Sequence, residues 1–350
     1  MSGQVIKKEI PRAILLNPGP ATTSARVKAA LVAEDICPRE RSFGEVFRRV
    51  RRMAVELVHG DSSYTSILLT SSGTGAMEAC LGSAVPAGKK VLVLENGAYG
   101  KRMKEICGAL GVDFLSLDAV WGDPIDLVAL RKLLREQGDA VGALAFIHHE
   151  TTVGILNPLE DLWKIAREFS LLTIVDAMSS YAGLPIDLRK TPVDFLLSSS
   201  NKCIQGMAGI GIVVAKKSTL EALKPGRSYY FNLAKNFEAQ EKHGEPWFTP
   251  PVQVVYALHE AFLEIQEEGP ENRYARYQAL YRQMLQGMRR LGFKELVREE
   301  YHSGILTAFV EPQGFNFNAY HDFLFERGIT VYPGKGAKEK TFRISNLGAL

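Results

Sequence analysis

Between residues 27 and 215 the chain repeats one alternation, a short apolar run followed by a longer stretch with helical spacing. The apolar runs are Ile67–Thr70, Val91–Leu94, Ala143–Ile147, Thr173–Val175, Phe195–Leu197 and Gly211–Val214. Helix-like stretches include Phe43–His59, Lys101–Leu110, Leu127–Glu136 and Leu159–Phe169. Short strands without polar alternation need cover on both faces. The pattern therefore predicts an α/β fold with a mostly parallel, doubly wound sheet. After Pro250-Pro251 the texture changes. Residues 252–291 read as long helices broken near Glu268-Gly269-Pro270. Strand-like Ile305–Val310, Ile329–Tyr332 and Phe342–Ser345 follow, with a helix-like Asn318–Arg327 between the first two. This predicts a smaller α+β domain.

Two of the runs end in a reactive side chain among small polar residues. Asp176 closes Thr173-Ile174-Val175-Asp176, and Lys202 follows Ser198-Ser199-Ser200-Asn201. Each alone has an ordinary alternative, a strand-end cap for the aspartate and a solvated loop for the lysine. Together they suit pyridoxal 5'-phosphate (PLP). The lysine supplies the amine that joins the cofactor aldehyde. The carboxylate pairs with the ring nitrogen and keeps it protonated, so that the ring draws electrons.

Ser71-Ser72-Gly73-Thr74-Gly75 follows the first strand-like run and precedes a helix-like segment. Small residues and hydroxyls at a helix start suit a phosphate. A P-loop is excluded, because Ala76-Met77 stands where Lys-Ser/Thr is needed. A dinucleotide fingerprint is excluded, because Glu78 occupies its third small position. Tyr99 lies in a loop from which it could stack on a flat ring or simply pack. His148-His149-Glu150-Thr151-Thr152 closes another run. Adjacent strand residues face opposite ways and no further ligand cluster exists in the sequence, so no metal is expected. The Thr152 hydroxyl is the expected ring contact there. Arg343, between Phe342 and Ile344, suits a bidentate carboxylate clamp, with a surface arginine as the alternative. Arg39 and Arg41 could form a second anion pocket or lie in a solvated loop.

The bulk numbers bound the partners. The 350 residues are 46% hydrophobic and 23% charged, with a net charge of +3. That charge is too small to argue for nucleic acid. The start, Met1 to Ile10, is polar, and no run approaches membrane-spanning length. The four cysteines have neither pairing nor metal spacing, so a cytoplasmic setting is expected.

Several stretches together carry a family likeness. They are Leu15-Leu16-Asn17-Pro18-Gly19-Pro20, Thr70 to Glu78, Asn96-Gly97-Ala98-Tyr99-Gly100, His149 to Thr152 with Gly154 to Pro158, Asp176-Ala177-Met178-Ser179-Ser180, Asn201 to Gly206 and Val331 to Lys335. The chain resembles the class-V aminotransferases of fold type I nearly end to end. The resemblance implies a seven-stranded, mostly parallel sheet sandwiched by helices in a large domain, residues 15–252. Residues 1–14 and 253–350 would form the small α+β domain. It implies Lys202 as the Schiff-base lysine, Asp176 at the ring nitrogen and Tyr99 on the ring. Ser72, Gly73 and Thr74 would hold the phosphate, with Asn201 beside the lysine and Thr152 at the ring hydroxyl. Thr249 would reach the cofactor of a second subunit in a homodimer. Arg343 would bind the keto acid's carboxylate, and Asn17 and Gly19 would border the substrate. The expected reaction moves the amino group of 2-aminoethylphosphonate to pyruvate, giving phosphonoacetaldehyde and alanine, or the reverse. Alanine–glyoxylate or serine–pyruvate transamination is the alternative on the same fold. A desulfurase would need a mobile cysteine, and a simple phosphate-binding module would leave Asp176, Lys202 and Arg343 without a role. Ser345 departs from the family pattern, which has glycine after the Arg-Ile pair, and that pattern continues beyond the position of Leu350 into a terminal helix.

Overall fold

The computed structural model describes residues 13–224, 226–336 and 339–350. Most of the segment expected to open the small domain, residues 1–12, lies outside them. Seven strands form the main sheet: β1 Tyr64–Thr70, β2 Lys90–Glu95, β3 Phe114–Asp118, β4 Val141–Ile147, β5 Leu172–Asp176, β6 Phe195–Ser199 and β7 Ile210–Lys216. Their order is β1-β7-β6-β5-β4-β2-β3. Only β7 runs against its neighbours, pairing antiparallel with both β1 and β6. The other six strands therefore point their carboxyl ends the same way.

Alternate side chains divide between two cores. Leu92, Leu94, Leu144, Phe146 and Leu196 face one core. Val91, Val93, Ala143, Ala145 and Leu197 face the other. This period of two, with both sides apolar, is what the uninterrupted strand-like runs demand. Helices α1 Arg41–Glu56, α4 Leu127–Gln137 and α5 Leu159–Glu168 cover the first face. Helices α2 Gly73–Ala84 and α3 Ala98–Ala109 cover the second. The edge strand β3 escaped the sequence reading because its sides alternate between exposed and half-buried. Only one face of it is covered, so it carries no continuous apolar run.

The break near Glu268-Gly269-Pro270 is real. Helix α6 Val252–Glu268 ends there and α7 Pro270–Arg290 begins. Gly269 takes φ +82°, a left-handed conformation that suits glycine, and the following proline starts the new helix. The boundary expected at 252 meets a different arrangement. Val255, Leu258, Phe262 and Ile265 of α6 are buried in the main-sheet core. The smaller unit's own core starts with α7, whose Tyr281, Leu285 and Met288 meet Phe309, Phe342 and Ile344. Its sheet is β8 Lys294–Glu295, β9 Leu306–Val310, β10 Tyr332–Pro333 and β11 Thr341–Ser345, in the order β8-β9-β11-β10 and wholly antiparallel. The run Ile329–Tyr332 is divided. Ile329–Thr330 pairs parallel with Ile14–Leu15, while Tyr332–Pro333 joins β11. That first pairing ties the start of the described chain to the smaller unit. Among the described residues no helix is long and apolar enough to cross a membrane.

Candidate active site

The loops after β1, β2, β4, β5 and β6 converge at the carboxyl ends of their strands, where open α/β sheets hold ligands. They enclose a cavity lined by Ser72, Gly73, Thr74, Tyr99, Arg102, His149, Thr151, Asp176, Asn201 and Lys202, among others. Strand register brings the two reactive groups together. Asp176 closes β5 opposite Leu197 of β6, and five residues beyond Leu197 the chain presents Lys202.

The Lys202 ammonium donates to the Pro18 carbonyl at 2.7 Å. Burial lowers its pKa to about 8, against the opposing pull of Asp176. An amine so placed is readily deprotonated, as a nucleophile must be. Asp176 is 4% exposed. Burial lifts its carboxyl to about 7, although the Met178 N–H donates to Oδ1 at 2.8 Å. A buried carboxyl of this kind is poised for a cationic partner.

The turn expected to hold a phosphate stands at the start of α2. Ser72 is its extended N-cap residue, and its hydroxyl makes no capping bond. The first turn of any helix leaves N–H groups without intrahelical acceptors. Gly73 and Gly75 are there for close approach. A Cβ on Gly73 would fall 2.5 Å from the Met178 sulfur, and one on Gly75 would fall 2.6 Å from Ser71 Cβ. A pair of hydroxyls, free N–H groups and no side-chain bulk together match a phosphate. With an amine and a proton-hungry carboxyl across the cavity, the residues fit PLP.

Tyr99 is held by a carboxylate that the sequence reading passed over. Glu150 is fully buried. It accepts from the N–H groups of Tyr99 at 3.0 Å, Gly100 at 3.3 Å and Thr152 at 3.0 Å, and from the Thr152 hydroxyl. It thereby pins the start of α3, whose positive end favours an anion. Thr152 is spent in this arrangement, since its Oγ also accepts from the Ala98 N–H at 3.2 Å. Thr151, not Thr152, lines the cavity. The expected ring contact at Thr152 is corrected accordingly: the chain turns after Glu150, and only the first threonine faces inward. His149 also lines the cavity. Its Nδ1 meets Ser179 Oγ at 3.0 Å, and its buried Nε2 has no hydrogen-bond partner among the described residues.

The other expected residues divide. The carbonyl of Asn201, a cavity residue, accepts from Ala21 N–H at 2.9 Å. Asn17 is buried outside the cavity, where its amide donates to the Pro20 carbonyl at 3.0 Å and shapes the turn that offers Pro18 to Lys202. Gly19 backs onto the lysine itself. Arg343 is 2% exposed and donates to the carbonyls of Pro333 at 3.1 Å and Thr151 at 3.3 Å. No carboxylate pairs with it among the described residues. Thr249 is exposed and outside this chain's cavity. Arg39 and Arg41 do not join the site. Arg39 pairs with Glu245 at 2.9 Å, and Arg41 pairs with Glu45 at 3.1 Å. Both pairs lie at the surface and neither arginine lines this chain's cavity, which agrees with the solvated-loop alternative. Cys203 is buried, its thiol is pushed up to about 12 and it donates to the Ser179 carbonyl at 3.1 Å. It offers no thiolate for desulfuration.

A family model for the class-V aminotransferases matches residues 26–348. The chain belongs to the class-V aminotransferases. As a member it is a PLP-dependent enzyme. It is 41% identical over 340 residues to a 2-aminoethylphosphonate–pyruvate transaminase of Bacillus cereus, covering 96% of this chain and 98% of the relative. A bifunctional phosphonoacetaldehyde hydrolase/aminoethylphosphonate transaminase of Clostridioides difficile is 39% identical over 96% of this chain and 53% of its own length. Among solved structures, an alanine–glyoxylate aminotransferase from a Nostoc species aligns with a TM-score of 0.91 at 26% identity, covering 99% of this aminotransferase and 93% of the Nostoc chain.

Proposed function

We propose that this aminotransferase moves the amino group of 2-aminoethylphosphonate to pyruvate, giving phosphonoacetaldehyde and alanine, or runs the reverse. The observation that carries the reading is the 41% identity to the Bacillus cereus transaminase across 98% of that protein. The Nostoc likeness, at 26% identity, gives alanine–glyoxylate exchange weaker support.

When bound, PLP supplies a carbonyl that amines add to and a protonated ring that accepts electron density. The protein residues do the rest. Lys202 Nζ holds the cofactor. Once a substrate amine takes its place, Lys202 accepts the proton of the donor's nitrogen-bearing carbon, a task its lowered pKa suits. Asp176 would pair with the ring nitrogen through the oxygen left over, since Oδ1 accepts from the Met178 N–H. Ser72, Gly73 and Thr74 would hold the phosphate, Tyr99 would cover the ring and Thr151 would meet the ring hydroxyl. Arg343 takes the carboxylate of pyruvate or alanine through guanidinium N–H groups left over from its two carbonyl contacts.

The enzyme is proposed to act as a cytoplasmic homodimer. Tyr229, Tyr230, Trp247 and Phe248 form an aromatic ridge beside exposed Thr249, and Tyr229 is 79% exposed. Such a ridge is the kind of surface a second copy would cover. Sedimentation at assay concentration tests this, and a fully active monomer would refute it. The substrate reading is tested by single-turnover mixing of the PLP-loaded enzyme with 2-aminoethylphosphonate, alanine, serine or taurine while the visible band of the bound cofactor is followed. Loss of the band with 2-aminoethylphosphonate and alanine, but not with taurine, is expected. No response to the phosphonate overturns the reading.

A further inference from the structure

We infer that Arg102 is the cation that grips a tetrahedral phospho group inside this cavity. The inference rests on the proposed phosphonate reading for one of the two sources of that group. Up to three anions meet here: the cofactor phosphate, the donor phosphonate and a keto-acid carboxylate. Lys202 is committed as the amine. Arg343 is anchored on the carbonyls of Pro333 and Thr151 in the smaller unit. Arg102 is the remaining cation on the cavity wall among the described residues.

Its surroundings leave it available. Three basic residues stand in α3: Lys101, Arg102 and Lys104. Lys101 pairs with Glu105, and Lys104 pairs with Glu95 and Asp118. Arg102 has no carboxylate partner among the described residues. Its one hydrogen bond is a long one, from Nη1 to Thr74 Oγ1 at 3.4 Å. The guanidinium carbon lies over the Tyr99 ring, 4.9 Å from its centroid, within reach of a cation–π attraction. A guanidinium has five N–H donors, so most remain for a ligand. Thr74 belongs to the first turn of α2, so the free face of Arg102 adjoins the helix N-terminus with its unbonded N–H groups. A planar fork beside that turn suits a dianionic tetrahedron, which it can bind bidentately. The sequence reading left open whether Arg39 and Arg41 form a second anion pocket or lie in a solvated loop. Topology hands the anion-gripping role to a residue on the helix after β2.

The test uses the full chain loaded with either PLP or pyridoxal, which lacks the phosphate, in wild type, Arg102→Gln and Arg102→Lys. Cofactor retention on serial dilution gives both affinities. Single-turnover rates against donor concentration give the apparent affinities for 2-aminoethylphosphonate and alanine. If the cofactor phosphate is the ligand, Arg102→Gln weakens PLP by roughly tenfold or more, the scale of one charge-assisted contact, and leaves pyridoxal unchanged. If the donor phosphonate is the ligand, PLP is retained, 2-aminoethylphosphonate weakens by a similar factor and alanine does not. Arg102→Lys keeps the charge, loses the fork and falls between. Equal changes for PLP and pyridoxal together with equal changes for both donors would overturn the inference and make Arg102 a support for Tyr99. No change in any of them would also overturn it. Should wild type ignore 2-aminoethylphosphonate, the substrate reading fails, while the PLP-to-pyridoxal comparison still decides Arg102.

Discussion

Gly19 stands directly behind Lys202. Its φ is +137°, and a Cβ there would lie 2.7 Å from Lys202 Cε and closer still to the ammonium. Gly19→Ala is therefore expected to strain the backbone and push the amine out of line. The rate should fall roughly a hundredfold, as displacements of about an ångström do. The same strain should also lower the unfolding temperature, so the rates are compared where both proteins are folded. A variant with wild-type kcat would show that the lysine has room to move.

Lys202→Ala should leave the fold intact and remove turnover. Both the covalent amine and the proton carrier are lost, so a fall of roughly a thousandfold or more is expected. Circular dichroism checks the fold and single-turnover mixing checks the rate. Turnover near the wild-type level in the purified variant refutes the role.

Asp176→Asn makes a prediction about pH. The carboxyl's pKa is raised by burial from 3.8 to about 7 in the protein without cofactor. Between those values the unfolded chain has released this proton and the folded chain still holds it. The site therefore costs stability as pH rises through that window, and the cost levels off above about 7. The cofactor-free wild type should lose stability relative to Asp176→Asn between pH 4 and 7, by a few kcal/mol in all. Parallel pH profiles for the two proteins would show that Asp176 is not buried in its charged form. With PLP bound, the variant should retain the cofactor and react slowly, because an amide does not stabilise a protonated ring nitrogen.

Glu150→Ala removes the acceptor for four donors, two of them at the start of α3. Stranding buried N–H groups should cost roughly 2–3 kcal/mol. It should also loosen Tyr99, so cofactor affinity drops along with thermal stability. Loss of stability with unchanged PLP affinity would separate Tyr99 from this anchor.

Arg343→Lys tests the carboxylate clamp. Lysine keeps a charge but cannot reproduce the fork, so use of alanine or pyruvate should weaken by roughly 2–4 kcal/mol in kcat/KM. A variant as efficient as wild type would place the carboxylate elsewhere. Equal losses for alanine and 2-aminoethylphosphonate would mean one shared anion site.

Much of this is legible in the sequence. Uninterrupted apolar runs such as Ala143–Ile147 specify strands covered on both sides, because an alternating run would leave one face wet. Gly269-Pro270 specifies the break between α6 and α7, because glycine takes the left-handed turn and proline starts a helix. Asp176 and Lys202 were legible because one closes a strand and the other follows the neighbouring parallel strand within three residues, and parallel neighbours put their ends side by side. The edge strand Phe114–Asp118 was not legible, since half its side chains face solvent and its pattern resembles a loop.

By itself the sequence determined the layered fold, the positions of the carboxyl at one strand's end and of the amine just after its neighbour, and the small residues of the turn before α2. These follow from local spacing and from the burial each segment requires. Only the tertiary structure decided that Thr151 rather than Thr152 lines the cavity, that Glu150 anchors the backbone of Tyr99, and that Arg102, without a carboxylate partner among the described residues, stands beside Thr74 while Arg39 and Arg41 are paired elsewhere. Whether a threonine is spent, or a cation already paired, depends on residues distant in sequence. Glu245 neutralises Arg39 from 206 positions away, a relation that spacing along the chain does not encode.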